Sequence, residues 1–147
     1  MNINDLIPAE DVKSACNKLG LRDWTKLEEP HVLLEEAATI RSEVGGEALL
    51  VSEDVFRKGL EIELEHGLHF PDTNVTNNHP LLTGMIVTAH LKESLDYYQR
   101  LEIAELEGDI FNAVRNNDGK KVSSKYKQLV QARLDLAQEE SRNIELA

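Results

Sequence analysis

The chain has 147 residues, 41% apolar and 29% charged, with 27 Asp and Glu against 16 Lys and Arg for a net charge of −11. A chain of this size buries about 68–70% of its unfolded surface, enough for one core without staples, and the single cysteine, Cys16, excludes a disulfide within the chain. The acid excess argues against a non-specific binder of nucleic acid or of anionic lipid, and no apolar run approaches the roughly 18 residues of a membrane span. Aromatic residues make up only 5%, and Ala, Leu, Glu, Lys and Gln fill the periodic stretches, so the expected fold is all-α. A first helix starts at Pro8 and stops at Gly20, with Val12, Ala15, Cys16 and Leu19 as its apolar stripe. Leu21 to Leu27 form a connector around Trp24. A second helix runs from near Pro30 through Val32, Leu33, Ala37 and Ile40 to Gly45-Gly46, and a third from the capping residue Ser52 to Gly67. Residues 68–80, with Pro71, Asp72, Asn74, Asn77, Asn78 and Pro80, read as a loop long enough to reverse the chain. A fourth helix starts at Pro80 or Leu81 and continues past Leu106 to Arg115, with Gly108 its one internal weak point. After the break Asn116-Asn117-Asp118-Gly119, a last helix spans Lys121 to Ile144, with Val122, Tyr126, Leu129, Val130, Leu134 and Ala137 on its apolar side. The architecture expected is a small bundle of about five helices around a central antiparallel pair, the third and fourth, with a C-terminal extension helix.

Charge divides the chain. Residues 1–119 carry 10 basic and 23 acidic side chains, whereas residues 120–147 carry 6 and 4. This points to an acidic helical domain over 1–119 and a C-terminal helix over 120–147, basic at its start through Lys120, Lys121, Lys125 and Lys127, that serves as a docking or assembly arm or as a solvated face. The first eleven residues, acidic at Asp5, Glu10 and Asp11, lack the basic start and apolar stretch of a signal peptide, which places the chain in the cytoplasm.

Two short motifs bear on chemistry: Glu63-x-x-His66 closing the third helix and His90-x-x-Glu93 within the fourth. On the third helix Phe56, Leu60 and Leu64 define the buried stripe, Glu63 and His66 flank it, and Glu61 and Glu65 fall on the wet side. On the fourth, Ile86, Val87, Tyr97 and Leu101 build an apolar arc from whose centre His90 projects. Buried charges must be paired or bound to an ion, and an antiparallel helix pair sets His66 opposite His90 and Glu63 opposite Glu93. Two imidazoles and two carboxylates suit one divalent transition metal such as Zn, Fe or Mn, so Glu63, His66, His90 and Glu93 are the candidate metal ligands. The same four groups, with Tyr97 or Tyr98, equally make a metal-free hydrogen-bonded network. In either case a fully buried His90 makes His90→Ala cost about 2–4 kcal/mol. The inverted order of the second motif departs from the di-iron pattern, which repeats Glu-x-x-His in one sense. Asp72-x-Asn74-x-Thr76 begins like a calcium loop, but Asn77 replaces the needed Gly and Thr83 the needed Glu. No Gly-x-Ser-x-Gly and no phosphate-cradling glycine loop occurs, and Cys16 sits on an apolar stripe as an inert core thiol. Of the remaining histidines, His69 and His79 are near enough in sequence to approach the cluster.

On these residues the chain resembles a small uncharacterised helical family of bacteria and tailed phages. The matching core reads Phe56-Arg57-x-Gly59-Leu60, Glu63-x-Glu65-His66-Gly67, Thr73-Asn74-Val75-Thr76-Asn77, Ala89-His90-Leu91-x-Glu93, Asp96-Tyr97-Tyr98 and Arg100-Leu101, preceded by a looser echo in Leu19-Gly20-Leu21 and Trp24. The resemblance implies a compact helical core over about 53–106 in which Glu63, His66, His90 and Glu93 belong together, a frequent setting among phage genes, and no established activity. Leu95 stands where the family has Pro, so a kink there should be lost and the fourth helix run straighter. Residues 28–52 look like an insertion, and 107–147 extend beyond the core.

These observations favour a non-enzymatic structural or interaction protein, a head-, neck- or tail-associated component of a phage virion or of its assembly, made in the cytoplasm of the bacterial host. The expected partners are other protein subunits, either further copies in a homo-oligomer or phage structural proteins, with no direct nucleic-acid contact and no membrane. The alternative is a small metal-dependent enzyme using the two-His, two-Glu site.

Overall fold

The computed structural model describes residues 6–146, with side chains to 145. Residues 1–5, part of the stretch without a signal-peptide pattern, lie outside them. The described residues form six α-helices joined by short loops and 3₁₀ turns, with no strand: α1 (Ala9–Leu19), α2 (Leu34–Val44), α3 (Glu53–His69), α4 (Pro80–Glu93), α5 (Tyr97–Arg115) and α6 (Gly119–Leu146). None of these is long and apolar enough to cross a membrane. The chain divides into two compact units, residues 1–95 and 96–147.

In the first unit α2, α3 and α4 pack on one another and α1 lies against α4. The third-helix stripe is buried as its spacing requires, with Phe56, Leu60 and Leu64 at the centre beside Ile40, Ala37 and Val87. Asn78 lies against Gly67 and Gly84 against Phe56, so α4 turns back across α3. Gly84 admits the close approach of α2: a β-carbon there would stand 2.7 Å from Ile40 Cγ2 and 3.1 Å from Val44 Cγ1. Helix α2 is therefore integral to the core and not an insertion laid onto a finished nucleus. It begins at Leu34, later than Pro30 suggested, because residues 24–33 are held otherwise: Trp24 is fully buried in a 3₁₀ turn, and Val32 is core before the helix starts. The turn between α2 and α3 is tied down by Arg41, whose guanidinium donates to the carbonyls of Ala48, Leu49 and Val51 at 2.9–3.0 Å.

The long fourth helix expected to Arg115 is two helices. The break falls at Ser94-Leu95-Asp96, where Ser94 is extended (φ −161°, ψ 134°), and not at Gly108, which lies inside α5. No proline is needed for it. Ser94 disfavours helix interior, and the buried Asp96 at the start of α5 accepts two hydrogen bonds from the Arg100 guanidinium, at 3.0 and 2.8 Å, one turn ahead.

The second unit is a hairpin of α5 and α6. Leu106, Leu129 and Ala132 form its core with Ile103 and Ile110, and ion pairs Asp109–Lys125, Glu107–Arg133 and Arg100–Glu140 run along it in antiparallel register. The C-terminal helix folds against its neighbour in sequence. It pairs with α5, and the structural division comes at residue 96.

Candidate functional site

Helix α3 brings Glu63 and His66 to one flank a turn apart, and α4 brings His90 to meet them. Glu63 is the hub. One carboxylate oxygen is 3.6 Å from His90 Nε2, the other 3.9 Å from His66 Nδ1. The side chain of Glu63 is 13% exposed, that of His90 30% and that of His66 59%. The expected facing of His66 with His90 is therefore replaced by two histidines meeting one carboxylate between them. Glu93, expected opposite Glu63, is the last residue of α4 and exposed, as is Lys92 beside it. His90 lies at the edge of the buried face and not at its centre: the residues that α4 buries are Thr83, Gly84, Val87, Thr88 and Leu91. Glu61, expected on the wet side, is half-buried and accepts from the Val32 N–H at 3.1 Å and from Arg57 at 3.0 Å. Among the described residues, no group of three or more His, Cys, Asp or Glu side chains is arranged to hold a metal ion.

The other histidines have local duties. His69 is exposed beside Glu65 at 3.5 Å. His79 is the N-cap of α4, its Nδ1 accepting from the Leu82 N–H at 3.5 Å, and burial pushes its imidazole below the ordinary 6.5. Cys16 is fully buried, and burial pushes its thiol up, as suits an inert core residue.

The loop from 70 to 79 explains much of the remaining motif. Asn77 and Asn78 adopt left-handed φ values of 47° and 59°, which asparagine tolerates better than most residues. Asn74 Nδ2 donates to Asn78 Oδ1 at 2.9 Å, the Asn78 N–H donates to Thr76 Oγ1 at 3.1 Å, and Asn77 Nδ2 donates to the Ile7 carbonyl at 2.8 Å. This knot of amides sits on Gly67: a β-carbon there would come 2.5 Å from Asn78 Oδ1 and 2.9 Å from Asn74 Cγ. Glycine follows His66 because the loop needs the space, and the asparagines satisfy one another.

The most buried carboxylate of the described residues is one that periodicity did not single out. Glu36, in the first turn of α2, is 3% exposed and accepts from the Arg22 N–H (3.0 Å), Arg22 Nε (3.0 Å) and Nη2 (2.6 Å), Trp24 Nε1 (3.4 Å) and the Leu33 N–H (3.1 Å). Burial pushes this carboxyl up, but the donors together outweigh it and hold the group below the ordinary range. A glutamate in a first helical turn ordinarily reads as a surface complement to the helix dipole; the signals available were Arg22 and Trp24 in a connector too short to hide them elsewhere. The cavity beside it, about 140 Å³ between Gly20, Leu33 and Thr39, is smaller than the roughly 300–1,000 Å³ of ordinary ligand sites.

With this geometry in view, residues 12–107 match the family described as "Protein of unknown function (DUF5661)". The chain belongs to that family. The match runs through residues 28–52, in line with the central place of α2, includes the Glu63 cluster and the asparagine loop, and stops midway along α5. No curated protein and no solved structure matches the chain.

Proposed function

We propose that this protein is a non-enzymatic interaction module, a component of a phage particle or of its assembly, whose helical core presents the α5–α6 hairpin to other subunits. The observation that carries this reading is the apolar surface of that hairpin: Phe111, Val114, Tyr126, Val130 and Leu134 are each 50–62% exposed. Contiguous apolar surface on a soluble domain marks a contact site, and this one lies beyond the stretch matched to the family, in the part the chain adds. The phage setting is supported by the family resemblance of the core. The Glu63 cluster fixes α4 against α3 in this reading, and the hydrogen-bonded loop above it holds the turn.

The experiment is incorporation. Particles produced by a host carrying the gene should contain the protein, and the double variant Tyr126→Glu/Val130→Glu, which alters exposed positions, should be lost from them while remaining folded. Particles that retain the variant at the wild-type level would overturn the reading. The enzyme alternative requires His66 and Glu93 to turn onto the Glu63–His90 pair around a metal. Metal content below about 0.2 equivalents in protein purified without added metal, with no thermal shift on adding Zn, Mn or Fe, counts against it.

A further inference from the structure

We infer that the apolar strip of the α5–α6 hairpin docks a second copy of this chain, with the partner's hairpin reversed end for end. The inference rests on the interaction reading above and names its partner.

The strip is continuous across both helices. On α6, Tyr126 and Val130 lie one turn apart on the flank of the Leu129, Ala132 and Leu136 seam that packs on α5, and Leu134 continues their row toward the far side of the helix. On α5, Phe111 and Val114 lie on the flank of the Leu106 and Ala113 seam. That the two flanks share one face follows from Glu107 and Arg133, joined at 3.2 Å. Glu107 stands one turn before Phe111, and Arg133 three residues after Val130, so the ion pair marks the side on which both rows emerge. Arg115 caps the strip, its guanidinium 5.8 Å from the centre of the Phe111 ring.

Charge selects the occupant and its orientation. Around the turn, residues 109–129 hold five basic side chains against two acidic ones. Toward the open end, residues 96–108 and 130–147 together hold three basic against eight acidic. The hairpin is therefore positive at its turn and negative at its open end. A twofold axis along the hairpin would lay turn on turn and repel. An axis perpendicular to the strip lays each basic turn over the partner's acidic end and buries both strips against each other, as a self-complementary isologous interface requires. The product is an antiparallel four-helix bundle made from two hairpins.

Sedimentation velocity of the full chain between about 5 and 300 µM at low salt should show a monomer–dimer equilibrium. Val130→Glu, at an exposed position, should weaken it at least about tenfold with helix content unchanged, and raising NaCl from about 50 to 500 mM should weaken it several-fold by screening the opposed ends. Orientation is read by cysteine cross-linking with a short bis-maleimide, because Cys16 is buried and leaves the background low. Mixed Lys120→Cys and Gln138→Cys chains should cross-link to each other far more than either does to itself. A monomer throughout the range overturns the inference, as does a dimer indifferent to Val130→Glu, one that tightens with salt, or dominant 120-to-120 links. A monomer whose strip variant is still excluded from particles refutes the second copy while leaving the interaction reading in force; a dimer whose strip variant enters particles normally refutes that reading alone.

Discussion

Glu36 and Glu63 are acidic side chains on neighbouring helices of the same compact unit, and the surroundings of each decide its role. Glu36 is 3% exposed and accepts five hydrogen bonds, three from Arg22 and one each from Trp24 and Leu33. Glu63 is 13% exposed and faces two imidazoles at 3.6 and 3.9 Å, one of which stands mostly in solvent. A carboxylate enclosed by donors stays charged in the interior without an ion and is committed to structure. One flanked by partly exposed histidines is held by weaker, more solvated ion pairs and is expected to contribute less to the fold.

The largest expected effect follows from removing the enclosed charge. Glu36→Gln leaves the Arg22 guanidinium and the Trp24 and Leu33 N–H groups with one carbonyl oxygen in place of a carboxylate, and should cost about 3 kcal/mol in urea unfolding. Trp24 is the only tryptophan and lies in the first unit, whereas all three tyrosines, Tyr97, Tyr98 and Tyr126, lie in the second. Tryptophan emission therefore follows the unit that Glu36 holds, and the tyrosine signal the other. A loss below about 1 kcal/mol would mean that the enclosure is not what keeps α2 in place. The depressed carboxyl adds a signature: its contribution is complete above the ordinary 4.5 and is lost as pH falls through the lower folded value, so the variant should show a flatter acid limb.

Gly67 comes next. An added methyl group meets the amides of Asn74 and Asn78, which are bonded to each other, with Asn78 on a backbone of left-handed φ, and so give way poorly. Gly67→Ala should cost about 1–2 kcal/mol despite the helix propensity gained, and Gly67→Ala with Asn78→Ala should recover part of it. Full stability in the single variant would show that the loop is not seated on α3.

His90→Ala tests the open cluster. A centrally buried histidine would make it cost about 2–4 kcal/mol. With His90 at the edge of the buried face, about 0.5–1 kcal/mol is expected, near the range of partly exposed ion pairs. A measured loss above about 2 kcal/mol would erase the contrast between the two carboxylates.

How far the sequence carried can be seen in these same residues. Phe56, Leu60 and Leu64 were legible because a single apolar stripe at helical spacing has one packing solution. On α6, Tyr126, Leu129, Val130 and Leu134 were grouped on one side, yet only Leu129 of these is buried, because a helix with two adjacent apolar rows does not say which row its partner covers. Spacing set Glu63 opposite Glu93 and His66 opposite His90; Glu63 instead meets His90, and Glu93 falls at the end of α4, which depends on Ser94 and Asp96 and on the Arg100 pairing rather than on apolar period. Glu36 was invisible because its burial comes from a connector that folds over it.

The smallest expected effect concerns a titration within the same unit. His79 caps α4 through Nδ1 as an acceptor, a role open only to the unprotonated ring, and burial favours that neutral form. The unfolded chain thus takes up the proton first as pH falls. The stability this group contributes is complete above its ordinary 6.5 and is lost as pH drops through the lower folded value. His79→Asn keeps a capping acceptor without a titrating ring, so at pH 8 its unfolding midpoint should match the wild type within about 0.5 kcal/mol. Between about pH 7 and 5.5 the wild type should lose stability and the variant should not. This window lies above the range where Glu36 titrates, so the two groups separate in one pH series followed by Trp24 emission. A variant that keeps the wild-type slope would refute the assignment of this pH dependence to His79.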